Sequence, residues 1–220
     1  MKEFDPLKYK AMVRSHQEND NPLGWFDSIY TDAEGDFNNI FWADLQPSPY
    51  LLEWIDSSEK NARGKKALVI GCGVGDDAQA LSECGYEVTA FDISPEAIRL
   101  CKGRYPDTKV TYLVEDLFNT PSAWKESFDL IYECNTIQVL PGKYRIQARD
   151  AMVSLLAKEG HILVSCRSRL KGEQEEDIPL PLDREEIDGF VKCGLSEESF
   201  LAYDDTQVPS VPHFFACYKR

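Results

Sequence analysis

The sequence has no C-x-x-C pair, and its three histidines, His16, His161 and His213, lie too far apart in the chain to suggest a shared metal. Its seven cysteines are odd in number and scattered, which fits neither a disulfide framework nor a zinc site. Reduced, mostly buried thiols in a cytoplasmic protein are expected, with no bound metal. No stretch approaches the length of a membrane span, and Met1-Lys2-Glu3-Phe4-Asp5 does not open a signal peptide. Basic residues are also few, 24 Lys and Arg against 38 Asp and Glu, for a formal net charge of −14. That deficit argues against nucleic acid and anionic membrane surfaces as partners, since both need Lys/Arg footprints. It is compatible with a cationic or neutral small molecule, and much of it serves solubility. Internal repeats, low-complexity tracts and linkers are missing as well. What remains, 220 residues with 43% hydrophobic and 28% charged content, fits a single α/β domain with a substantial core.

The informative stretch is Lys66-Ala67-Leu68-Val69-Ile70-Gly71-Cys72-Gly73-Val74-Gly75-Asp76-Asp77. An apolar β-prone run stops at glycines on alternate positions, and a helical pattern begins. A second apolar run, Val88-Thr89-Ala90-Phe91, delivers Asp92 about twenty residues past the first glycine. Strand, glycine turn, helix, strand and acid make the first βαβ unit of a nucleotide-binding sheet. The glycines let the backbone approach a ligand closely, and the acid stands where ribose hydroxyls can donate to it. In the dinucleotide fingerprint G-x-G-x-x-G the third glycine comes one residue later, where this chain has Asp76. Asp76 and Asp77 at the mouth of the helix are expected to repel a diphosphate and to suit a ligand with a cationic end. A ribose-bearing, phosphate-free cation describes S-adenosylmethionine.

The rest of the chain predicts a doubly wound, mostly parallel seven-stranded sheet with helices on both faces and an antiparallel final strand. Strands are expected at 67–70, 87–91, 110–113, 128–132 and 160–165, with a closing pair at 195–205 and 211–218. Helices are expected at 76–83, 95–104, 143–158 and from 184 to 192, the last opened by the capping box Asp183-Arg184-Glu185-Glu186. Residues 1–65 form an aromatic, partly helical arm in front of the 66–220 core and are expected to cover the site. Within the arm, Ser48 and Pro49 start a short helix. Trp25 and Trp42 flank a polar loop and are expected to line a pocket at the carboxyl ends of the strands. Glu115-Asp116 after the third strand and Glu133-Cys134-Asn135-Thr136 after the fourth face the same place. Residues 167–182 read as a long polar loop, either disordered or a lid.

These motifs are similar to those of class I S-adenosylmethionine-dependent methyltransferases, through Leu68 to Asp77 and through Phe91-Asp92-Ile93-Ser94-Pro95-Glu96-Ala97-Ile98. Val69 stands where many members carry an acid. That departure is shared with the thiopurine, thiol and halide methyltransferase group, whose later acid falls on Asp77. Trp42-Ala43-Asp44 through Pro49-Tyr50-Leu51, Leu140-Pro141 through Arg145, and Pro179 through Ile187 also resemble segments of that group. The resemblance implies that Gly71, Gly73 and Gly75 line the methionine portion, that Cys72 and Asp77 also belong to the cofactor site, and that Asp92 holds the ribose. It implies too that Ile93 packs on adenine, Asp116 and Leu117 pair with its edge, Glu133 lies near the amino-acid end, and Trp25 and Trp42 cover the sulfonium. Glu133 and Cys134 stand where the group has an aspartate and an aromatic.

The resemblance therefore implies methyl transfer to a small-molecule acceptor, a thiol or another soft nucleophile, by in-line displacement, with S-adenosylhomocysteine as product. Such a step needs alignment and exclusion of water more than it needs a base. No residue stands out as an obligatory base, and Tyr30, Asp32 and Asp36 are candidates only through their place in the arm. The alternatives are a protein that binds S-adenosylmethionine without turnover and an NAD(P)-dependent oxidoreductase on a similar sheet. A monomer or a homodimer is expected.

Overall fold

In the computed structural model the described residues are 6–18, 23–57, 62–140, 142–173 and 179–220. Three helices precede the sheet: α1 (Pro6–Glu18), α2 (Trp25–Asp32) and α3 (Pro49–Ser57). Then follow β1 (Lys66–Ile70), α4 (Asp76–Glu83), β2 (Glu87–Asp92), α5 (Pro95–Arg104), β3 (Thr111–Val114) and β4 (Phe128–Cys134). The chain closes with α6 (Gly142–Leu155), β5 (Leu156–Arg167), α7 (Arg184–Ile187), α8 (Gly189–Lys192), β6 (Ser196–Asp204) and β7 (Pro212–Lys219). Pro141 and residues 174–178, part of the predicted turn and polar loop, lie outside the described residues.

The sheet has seven strands in the order β3-β2-β1-β4-β5-β7-β6. β1 pairs in parallel with both β2 and β4, β4 in parallel with β5, and β7 runs antiparallel to β5 and β6. This is the predicted doubly wound sheet with its reversed final strand. β1 and β4 are near-continuous apolar runs because helices cover both faces of a parallel sheet. Alternation then splits the core in two. Leu68, Ile70, Ile131, Val164 and Phe190 pack on one face, and Val69, Ala90, Leu130, Tyr132 and Leu163 on the other.

Local signals explain the boundaries. Ser94 caps α5, its hydroxyl accepting from the Ala97 N–H at 3.0 Å, with Pro95 in the first turn. Gly75, at φ 95°, opens α4. The capping box at Asp183 and Glu186 is formed in both directions. The helix expected from 184 to 192 is instead broken at Asp188. The break lets Phe190 stack on Tyr218 at 5.1 Å, while the Tyr218 hydroxyl donates to the Ile187 carbonyl. A side chain at Gly189 would meet the Arg149 guanidinium, which would have to move aside. β5 also starts earlier than expected, at Leu156, and α6 stops at Leu155.

Ile131 on β4 is fully buried. Replacing it by alanine is expected to lower stability by about 2–5 kcal/mol, the range for large-to-small core changes. The readout is a lower denaturant midpoint with an unchanged slope.

Candidate active site

The carboxyl ends of β1, β2 and β4 meet where the strand order reverses, the place where open α/β sheets bind ligands. A cavity of about 670 Å³ lies there. Its floor is the glycine turn. Gly71 and Gly75 both have positive φ, and a Cβ at Gly71 would overlap Thr136, while one at Gly75 would press on the Tyr112 hydroxyl. Both positions thus need glycine for the protein's own packing, before any ligand is considered.

Asp92 ends β2 beneath this turn and is buried. One carboxylate oxygen accepts from the Gly73 N–H at 3.1 Å and the other from the Ser94 N–H at 2.9 Å. Burial pushes its carboxyl up to about 6, and the backbone donors hold it back from rising further. Each oxygen retains acceptor capacity toward the cavity. Ile93 is 37% exposed beside it. Glu115, Asp116 and Leu117 form the next wall. The Asp116 side chain accepts from the Phe118 N–H at 2.9 Å and from Asn119 at 3.0 Å, capping a short 3-10 turn.

Residues of the amino-terminal arm line the cavity, and Asp27 and Ser48 tie the arm to it. Asp27 of α2 accepts from the Ser94 hydroxyl at 2.6 Å and from the Glu96 N–H at 3.2 Å. Asp77 accepts from the Ser48 N–H at 2.7 Å, and burial raises its carboxyl to about 6. Between these ties sits an aromatic cluster. Trp25 is buried, stacked on Phe26 at 3.8 Å and edge-on to Trp42 at 6.0 Å. The Trp42 indole donates to the Tyr30 hydroxyl at 3.1 Å.

The structure brings together Trp25, Trp42, Gly71, Cys72, Gly73, Gly75, Asp77, Asp92, Ile93, Asp116 and Leu117, all of which line the cavity. Glu133 is the exception. Strand alternation points Tyr132 and Cys134 at the cavity and Glu133 at the opposite core. There one of its oxygens accepts from the Thr136 and Ile137 N–H groups, each at 3.1 Å, and the other has no partner among the described residues. Burial lifts its carboxyl to about 8.

Asp76 also departs from its expected role. Arg104 grips it with both terminal nitrogens, at 2.6 and 2.7 Å, and Tyr105 adds a hydroxyl at 3.1 Å. Its charge is neutralised by this fork, whereas its neighbour Asp77 accepts from the Ser48 backbone instead. Among the candidate bases, Tyr30 lines the cavity, but burial raises its phenol far above its ordinary value. Asp32 and Asp36 are exposed outside the cavity, and Asp36 caps a 3-10 turn through Asn38.

Sequence reasoning missed the far wall of the cavity. Arg167 of β5, Tyr203 of β6 and His213 of β7 form one cross-strand row that lines it. Period-two alternation of His213, Phe215 and Cys217 was the available signal. Among the described residues, no cluster of His, Cys, Asp and Glu is placed to hold a metal, and no helix is long and apolar enough to cross a membrane.

A family model described as a methyltransferase domain matches residues 67–160. The full sheet also aligns with solved structures of that kind. One, a Burkholderia thailandensis 1,6-didemethyltoxoflavin-N1-methyltransferase with S-adenosylhomocysteine bound, gives a TM-score of 0.70 at 16% identity, over 99% of this chain and 91% of that one. The chain has the class I methyltransferase fold. The N-methyltransferase NodS from Bradyrhizobium japonicum WM9, in complex with S-adenosylhomocysteine, shares this methyltransferase fold with a TM-score of 0.67 at 19% identity, over 88% and 99% of the two chains. Among curated sequences, a ubiquinone biosynthesis O-methyltransferase of Proteus mirabilis (strain HI4320) is 25% identical over 146 residues. The match covers 66% of this chain and 57% of that protein, so the chain spans less than two thirds of that relative's length.

The buried carboxyl of Glu133 gives a test. Its folded value of about 8 lies above the ordinary glutamate value of 4.5, so folding favours the protonated form. The resulting stability is complete below about 4.5 and is lost as pH rises through about 8. Glu133→Gln cannot ionise, so its melting temperature is expected to fall less than that of the unsubstituted protein between neutral pH and pH ~9.

Proposed function

We propose that this cavity binds S-adenosylmethionine and that the protein transfers its methyl group to a small-molecule acceptor. The observation that carries this reading is the buried Asp92 carboxylate, held against the alternating glycines by the Gly73 N–H. The residues present fit the ligand. Asp92 has lone pairs left for a ribose diol, Ile93 offers an apolar surface for a purine, and the turn leaves room for a chain to run past Gly71 and Gly73. Trp42 and Tyr30 stand where a sulfonium can meet aromatic faces, an attraction of about 1 kcal/mol or somewhat more when desolvated.

When bound, S-adenosylmethionine supplies a methyl group already activated on a cationic sulfur. The chain's own residues then bind, orient and exclude water. The arm covers the cavity, and its ties through Asp27 and Ser48 end on the start of α5 and on the first turn of α4, so a ligand seated there and the arm brace each other.

The thiol or soft-nucleophile acceptor, and placement in the thiopurine, thiol and halide group, rest on the motif resemblance alone. The ubiquinone biosynthesis relatives are, by name, O-methyltransferases. A thiolate needs little base assistance near neutral pH, whereas a hydroxyl acceptor needs more. A turnover screen over thiols, halides, metalloids and phenols separates these readings. Release of S-adenosylhomocysteine with none of them would favour a binding protein without turnover. The seven free thiols support a reducing, cytoplasmic setting.

Calorimetry tests the cofactor site. Asp92→Ala is expected to weaken S-adenosylhomocysteine binding by about 10- to 100-fold, the loss of a hydrogen bond to a charged group. No binding by the unsubstituted protein, or a fluorescence response to NADH in its place, would overturn the reading. The affinity is expected to rise as pH increases through about 6, because Asp92 then gains the charge that strengthens its acceptance of ribose hydroxyls.

A further inference from the structure

The cavity extends well beyond the part that a nucleoside would fill. Its far wall is built by the last strands, where Arg167, His213 and Tyr203 sit side by side in register across β5, β7 and β6. His213 is buried, and its ring stacks on Tyr203 at 5.4 Å with the planes 16° apart. Its Nδ1 lies 2.8 Å from the Val211 carbonyl. A carbonyl can only accept, so Nδ1 carries a proton, and the tautomer this contact selects keeps its lone pair at Nε2. Nε2 has no partner among the described residues.

Arg167 is the second half of the pair. Its backbone is fixed by the Gln138 side chain, which accepts from the Arg167 N–H. Among the described residues its guanidinium has no carboxylate within salt-bridge distance, although the chain carries a net charge of −14. Other partly or fully buried arginines are paired: Arg104 with Asp76, Arg145 with Glu186, and Arg169 with Asp183. The guanidinium reaches toward Tyr9 of the arm, where its charge offsets part of the rise that burial imposes on that phenol. A half-buried, unpaired fork is costly unless a ligand completes it, and the group that matches it is a planar carboxylate. Acids of the same cavity, Asp44 and Asp205, stand on the His213 side, so the cavity offers an anion its place at Arg167.

We propose that Arg167 and His213 form the acceptor half-site, and that the acceptor is a hydroxylated small molecule carrying a carboxylate. Arg167 takes the carboxylate, and His213 Nε2 takes the hydroxyl proton. This rests on the cofactor reading above. In the step, the acceptor oxygen forms the new O–CH3 bond and the S–CH3 bond breaks. Its electron pair stays on sulfur as a neutral thioether, and the proton ends on His213.

The test uses the full chain saturated with S-adenosylhomocysteine, titrated with the ortho, meta and para hydroxybenzoates and with their carboxamides. At least one hydroxybenzoate is expected to bind about tenfold or more tightly than its carboxamide, and Arg167→Met is expected to erase that preference. In the same protein loaded with donor, His213→Gln is expected to lower kcat for that compound about 100-fold or more and to leave its Kd within about threefold. S-adenosylhomocysteine binding by each variant shows that it is folded. No preference for any acid, a preference that survives Arg167→Met, or an unchanged kcat in His213→Gln would overturn the half-site alone. Failure of the unsubstituted protein to bind S-adenosylhomocysteine would overturn the cofactor reading with it.

Discussion

One buried carboxylate holds the site in shape. Asp92 accepts from Gly73 on one side and from Ser94 on the other, so a single side chain joins the end of β1, the end of β2 and the start of α5. The left-handed backbone at Gly71, Gly73 and Gly75 costs conformational entropy and leaves donors to be satisfied. Asp92 satisfies one of those donors and fixes the curvature of the turn. The arm then hangs from the same construction, because Asp27 binds the Ser94 hydroxyl and Ser48 binds Asp77 in the first turn of α4. The glycine floor of the cavity, its side wall and the arm residues that line it therefore share short hydrogen bonds.

Much of this was legible in the sequence because it is local. The alternating glycines after an apolar run, Asp92 at its spacing, Ser94-Pro95 at a helix start and Asp183 to Glu186 as a capping box each specify geometry within a few residues. The doubly wound sheet and the adjacency of its first and fourth strands followed from alternating strand and helix signals, together with the rule that sheets of this kind bind ligands where the order reverses. Trp25 and Trp42 were placed by the polar loop between them.

The misplacements are all matters of tertiary partnership. Asp76 was read as a free charge because Arg104 is a full βα unit away in sequence. Glu133 was assigned to the ligand because a strand end says which residues are near a cavity but not which face each presents, and a shift of one position reverses the answer. Arg167, Tyr203 and His213 carry no common motif. They become neighbours only when β7 inserts between β5 and β6, and pairing of strands that distant leaves little trace in a single sequence. The break at Asp188 belongs here too, since Tyr218 and Arg149, which pack beside it, lie outside the helix.

The order of the strands along the chain divides labour within the cavity. The floor is complete by β4, whereas the wall bearing Arg167, Tyr203 and His213 depends on the closing hairpin of β6 and β7. A ribosome emitting this chain thus finishes the nucleoside-shaped half long before the other half exists. The two can also diverge separately: exchange of that terminal hairpin retunes the guest admitted opposite, while the glycine turn and its aspartate stay untouched.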